Sequence, residues 1–166
     1  AESIFSFLDE APEVDVGEYT VDRAAGRVEF EHVDFAYNSD TVTLQDINFV
    51  VEPGQTVALV GKSGSGKSSL VSLIPRFYDC SAGKITLDNL PIQDYKLKNL
   101  RDHIALVTQQ VVLFNGTVAE NIAYGEDVKL NESRIIKAAE SAHAMEFIEQ
   151  LPDGLATQVG DDATTL

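Results

Sequence analysis

The chain has 166 residues, 44% of them hydrophobic and 23% charged, enough for one domain with its own core. Its net charge of −15, from 27 acidic and 12 basic residues, repels nucleic acid and anionic lipid surfaces at long range and argues against both as direct partners. The single cysteine, Cys80, excludes an internal disulfide, no run approaches the roughly 18 apolar residues of a membrane span, and the acidic start lacks the basic region of a signal peptide.

The charge is uneven along the chain. Residues 1–34 hold ten acids and two bases, residues 35–119 seven of each, and residues 120–166 ten acids and three bases. A polyanionic ligand meets least repulsion in the neutral middle. In chain order, Ile4, Phe5, Phe7 and Leu8 predict the end of a helix, which runs into an acidic linker kept irregular by Pro12 and Gly17. From Arg27 the apolar residues alternate, at Val28, Phe30, Val33 and Phe35 and again at Leu44, Ile47, Phe49 and Val51, which predicts antiparallel strands with a later turn at Pro53-Gly54. Residues 56–60, Thr-Val-Ala-Leu-Val, are short, continuous and β-branched, the signature of a parallel strand covered on both faces. Leu70, Leu73, Ile74 and Phe77 then recur at helical spacing. Residues 83–87 and 104–107 predict further strands with a short helix over 97–101 between them. After Gly116 the β pattern fades, and Ile135, Ile136, Ala139 and Ala142, then Ala144, Phe147, Ile148 and Leu151, mark two helices closed by Pro152-Asp153-Gly154.

Between the predicted strand at 56–60 and the helix after it lies Gly61-Lys62-Ser63-Gly64-Ser65-Gly66-Lys67-Ser68, which fits the phosphate-loop pattern G-x-x-x-x-G-K-[ST] in full. Glycines at 61, 64 and 66 let the backbone fold around an anion with amide N–H groups turned inward, and the helix starting near Lys67 aims its positive end at the same point. In this pattern Lys67 reaches the β and γ phosphates and the Ser68 hydroxyl joins a Mg²⁺ shell. A Gly/Ser linker is the plain alternative, but linkers are not normally set between a buried β run and an apolar helix face.

The form of this loop resembles that of ATP-binding cassette (ABC) transporters, and two further stretches agree. Phe35-Ala36-Tyr37-Asn38 is similar to the family's aromatic loop, which implies that Tyr37 stacks on adenine. Val107-Thr108-Gln109-Gln110 and the residues to Ile122 are similar to the Q-loop of exporters and its sequel, which implies that Gln109 touches Mg²⁺ and the attacking water and that the following segment meets the coupling helices of a membrane domain. By themselves Tyr37 would be a strand aromatic and Gln109 a surface amide. Among exporters, Arg76-Phe77-Tyr78-Asp79, Ala142-His143-Ala144-Met145-Glu146-Phe147-Ile148 and Gly154-Leu155-Ala156-Thr157 look most like the homodimeric half-transporters that export lipid A.

The resemblance implies an α/β P-loop fold with an antiparallel β portion and the start of a helical subdomain. It divides the chain into residues 1–26, a linker from a preceding transmembrane domain, residues 27–116, a core holding the phosphate loop and Q-loop, and residues 117–166, part of the helical subdomain. ATP and Mg²⁺ are the implied ligands. Tyr37, Gly61, Lys62, Ser63, Gly64, Ser65, Gly66, Lys67, Ser68, Ser69 and Gln109 are the implied ATP contacts, with Ser68 and Gln109 toward the metal. Implied partners are a second copy of the subunit, the transmembrane domain of the same polypeptide and, through it, a lipid or other hydrophobic substrate, at the cytoplasmic face of the bacterial inner membrane.

No apolar run ending in Asp-Glu, no Ser-Gly-Gly and no later histidine is present, so the family's catalytic glutamate, signature and switch histidine are expected beyond Leu166, and the fragment alone is expected to hydrolyse ATP very slowly. His32, His103 and His143 join no ligand or triad spacing and read as surface or part-buried residues. Residues 157–163 depart from the common exporter form, with acidic Asp162 where a basic residue is usual. Alternative readings are a non-catalytic nucleotide-binding regulatory module, a multidrug or peptide exporter cassette, and a GTPase. The GTPase reading lacks an Asn-Lys-x-Asp guanine motif.

Overall fold

Alternation across residues 28–51 becomes a pair of long antiparallel strands, β1 (Val28–Asn38) and β2 (Thr41–Val51), in the computed structural model, which describes residues 13–38, 41–109, 112–124 and 131–160. The helix expected at Ile4 to Leu8, and Asp162, lie outside the described residues. In both strands the apolar pattern slips by three residues, from Phe30 to Val33 and from Leu44 to Ile47. A strict period of two would turn one of each pair to the wrong face. The structure absorbs the slips with irregularities in the ladder: His32 and Asp46 take positive φ of 49° and 48°, and His32 Nδ1 meets Asp46 Oδ1 at 2.7 Å. The extra residues leave Phe30, Val33, Phe35 and Leu44 all buried.

The other edge of β1 pairs with β3 (Ala82–Leu87), which turns through Asp88-Asn89 into β4 (Leu90–Pro91), giving an antiparallel sheet of order β2-β1-β3-β4. Both turn residues have positive φ, 53° and 67°, the condition of a two-residue hairpin that Asp and Asn tolerate best after glycine. Helix α1 (Lys67–Leu73) buries Leu70 and Leu73 in the same core as Phe30, Ile85 and Leu87, with Ile92 from the 3₁₀ turn Ile92–Asp94, Tyr95 just after it and Leu100 from helix α2 (Leu97–Asp102). Helix α1 is shorter than its apolar spacing predicts. Pro75 has no N–H to continue it and Arg76 takes φ 54°, so Phe77 leaves the core and lies exposed beneath the Arg101 guanidinium. Cys80 is part-buried against this core, and burial raises its thiol pKa.

Two predicted strands are not formed as such. Residues 56–60 and 104–107 join no ladder, and Val60 and Val107 are 90% and 92% exposed. A parallel strand bonds to a neighbour on each side, and no described residue supplies that pairing for either segment.

Residues 13–27 are irregular, as Pro12 and Gly17 predict, yet firmly attached. The Glu13 carboxylate accepts two bonds from Arg101, at 2.8 and 2.6 Å, and Asp15 caps α2 by accepting from Leu97 N–H at 2.9 Å. Tyr19 exchanges backbone bonds with Asp94 and Lys96, and Val21 is held through both its N–H and its carbonyl by the Asn99 amide. Asp88 then accepts from the amides of Ala25, Gly26 and Arg27.

The chain forms two compact units, the first ending at Leu106 and the second beginning at Val107. In the second, helices α3 (Val118–Ala123), α4 (Glu132–Ser141) and α5 (Met145–Ile148) bury Ala119, Ile135, Ala139 and Ile148. Thr117 and Glu120 form a capping box at the start of α3. The sequence pattern missed a two-residue ladder here, β5 (Gly116–Thr117) with β6 (Gln158–Val159), because so short a pairing has no periodicity to detect.

Candidate functional site

The phosphate loop follows residues 56–60, which pair with no described strand, and opens directly into α1, the helix its motif requires. Gly64 and Gly66 hold φ of 80° and 85°, where a side chain is strained, and a Cβ on Gly66 would also come 2.6 Å from Leu44 Cδ2. Glycine at 66 therefore lets the loop pass directly over the β2 side chain. Gly66 is also the N-cap of α1 and supplies no side chain, so the first N–H groups of the helix have no side-chain cap. Lys62, Ser63 and Ser65 are exposed along the loop.

Lys67 turns its ammonium back across the loop, donating to the Gly61 and Lys62 carbonyls at 2.9 and 2.8 Å and to Ser65 Oγ at 3.4 Å. These contacts place the cation over the loop rather than out in solvent, at the point where a phosphate oxygen could replace a carbonyl as its partner. Ser68, on the first turn of α1, is exposed. A cavity of about 440 Å³ borders the loop, lined by Leu44, Ile47, Leu59, Val60 and loop residues.

Tyr37 lies near the end of β1, with 51% of its surface exposed. Its hydroxyl donates to Ser69 Oγ at 2.9 Å, two residues past the loop lysine. Sequence reading put Tyr37 and Ser69 on the same ligand without showing that they touch. Tyr78, which no sequence pattern marks as a ligand residue, joins them: its ring stands at 89° to that of Tyr37 with centroids 5.0 Å apart, and Phe35 closes the cluster. Gln109 is exposed at a bend in the second unit. The first unit thus brings together ten of the eleven predicted ATP contacts: Tyr37, Gly61 to Ser68 and Ser69.

A family profile described as ABC transporter matches residues 44–165, from the second strand through both units. The chain belongs to the ABC transporter family. Its fold is that of the family's P-loop ATPases, represented here by the antiparallel sheet, the loop and part of the helices. It is 52% identical over 99% of its length to the ATP-dependent lipid A-core flippase of Pseudoalteromonas atlantica, 53% over its whole length to that of Pseudomonas aeruginosa and 51% to that of Coxiella burnetii. The chain spans 28% of the length of each of these relatives. A solved bacterial Atm1-family ABC exporter with ATP bound superposes with a TM-score of 0.86 at 37% identity, over 99% of this chain and 29% of that one. Among the described residues, no helix is long and apolar enough to cross a membrane.

Proposed function

We propose that this chain is the ATP-binding part of an exporter that couples ATP binding and hydrolysis to movement of lipid A, or a lipid like it, across the bacterial inner membrane. The observation that carries the proposal is the bond from Tyr37 to Ser69. It fixes an exposed aromatic, suited to stacking on a base, to the helix whose first residue is the phosphate lysine. Lys67 then neutralises the β and γ phosphates, the loop amides of residues 61–66 cradle them, and Ser69 holds the base-facing ring.

Ser68 offers an exposed hydroxyl oxygen beside Lys67, and Gln109 an exposed amide oxygen. Oxygen donors of this kind suit Mg²⁺, which keeps several waters and binds mainly through substrate phosphates. The metal would neutralise charge developing on the phosphates during transfer. The lipid assignment draws on 51–53% identity to lipid A-core flippases throughout the chain. A second copy of the subunit, a transmembrane domain of the same polypeptide and a place on the cytoplasmic face of the membrane complete the proposal.

The test is calorimetry of Mg-ATP binding to the full-length protein and its Lys67→Ala variant, with lipid-stimulated hydrolysis followed in parallel. Loss of one charge-assisted partner to phosphate is expected to weaken binding about 10- to 100-fold and to abolish turnover. Unchanged ATP affinity in a folded variant would refute the proposed site, and ATP turnover indifferent to lipid would remove the cargo assignment.

A further inference from the structure

A tyrosine near the end of a strand, half exposed, keeps rotational freedom unless neighbours remove it. Three side chains do so for Tyr37. Phe35, buried in the core, meets it edge-on at 4.8 Å and 77°, and Ser69 takes its hydroxyl. The third is Tyr78, perpendicular to Tyr37 at 5.0 Å and also tilted against Phe35 at 5.6 Å. Unlike Phe35, Tyr78 is 47% exposed, so core packing alone does not account for its place.

The turn that presents Tyr78 is itself braced. Arg76 takes a positive φ, its guanidinium is almost fully buried, and its Nε pairs with Asp79 Oδ1 at 3.1 Å across the turn. Arg101 donates to the carbonyls of Pro75 and Arg76 at 2.9 and 3.0 Å. A braced turn can hold a ring at a fixed angle, which a mobile loop cannot.

We infer that Tyr78 is a positioning residue that sets the plane of the Tyr37 ring and thereby raises affinity for the base of the nucleotide. The inference rests on the reading of Tyr37 as the base-stacking residue. Edge-to-face aromatic pairs contribute enough beyond simple burial to change an affinity about three- to tenfold.

The experiment measures binding of Mg-ATP and of Mg-tripolyphosphate, which has no base, to the full-length protein and to Tyr37→Ala, Tyr78→Ala, Tyr78→Phe and the Tyr37→Ala/Tyr78→Ala double variant. Tyr78→Ala is expected to weaken ATP binding about three- to tenfold with tripolyphosphate affinity unchanged, and to raise KM for ATP with kcat preserved. Tyr78→Phe, which keeps the ring, should match the parent protein, and the double variant should bind ATP no worse than Tyr37→Ala, because both act through one contact. Equal loss of both ligands in Tyr78→Ala would show general damage to the loop and overturn the inference. So would ATP binding that falls in Tyr37→Ala but not in Tyr78→Ala. If Tyr37→Ala itself leaves ATP affinity intact, the base-stacking reading fails first and the role of Tyr78 fails with it.

Discussion

At the scale of single residues, the loop was legible because its chemistry is local: eight consecutive residues specify both the backbone shape and the charge. The Tyr37–Ser69 bond was not, since nothing in the spacing of residues 37 and 69 distinguishes a contact from a coincidence. Tyr78 was hidden for a related reason, being neither periodic nor part of the loop. Gly17 shows the same limit from another side. The sequence marks it as a breaker, but its fold-level role is close approach, because a Cβ there would overlap the Tyr95 carbonyl. Gly17→Ala is therefore expected to cost about 1–3 kcal/mol, as overpacking does. The cost should show as a lower denaturation midpoint and as faster hydrogen exchange at the Tyr19 and Lys96 amides, which bond across the same contact.

At the scale of elements, β1 and β2 were read correctly even where their pattern faltered, because both strands slip together. Facing irregularities at His32 and Asp46 let two imperfect alternations share one buried face. The segment at 56–60 failed as a strand prediction for the opposite reason: composition encodes its β preference, but a ladder exists only with neighbours. The attached segment 13–27 was read as irregular, which it is, but its anchoring depends on side chains of α2 and the β3–β4 turn far along the chain. One anchor should respond to acid. The hydrogen bond from Arg101 lowers the Glu13 carboxyl pKa below its ordinary value of 4.5. A carboxyl with a lowered folded value favours the attached state fully above 4.5, and that preference is lost as pH falls through the lowered value. Exchange at the Tyr19 and Val21 amides is expected to quicken, relative to the intrinsic rate, as pH drops from about 6 to about 3. Glu13→Gln should start at the quicker relative rate and show less change with pH.

At the scale of the molecule, the P-loop fold was legible because the phosphate-loop motif stands between a β-branched run and a helix, and the comparisons agree over nearly the whole chain although that run pairs with no described strand. Val57, Leu59 and Val60 stand exposed together beside the loop, an arrangement that marks an interaction face or an aggregation hazard. Expressed as these 166 residues alone, the chain is expected to bind a hydrophobic dye and to self-associate with rising concentration. Replacing Leu59 and Val60 by Asp should reduce both effects, as read by dye fluorescence and sedimentation velocity.

The anchored segment also imposes an order of events during synthesis. Glu13 binds Arg101, 88 positions later, Asp15 binds Leu97, 82 later, and Val21 binds Asn99, 78 later. The ribosome therefore releases this acidic stretch well before its binding surface exists, and the sheet of β1, β2 and β3 can close, with Asp88 taking the amides of residues 25–27, while residues 13–21 still hang free. The stretch made before the sheet is among the last to settle, and a nascent chain stalled before α2 emerges should leave it open to a protease that the finished unit resists.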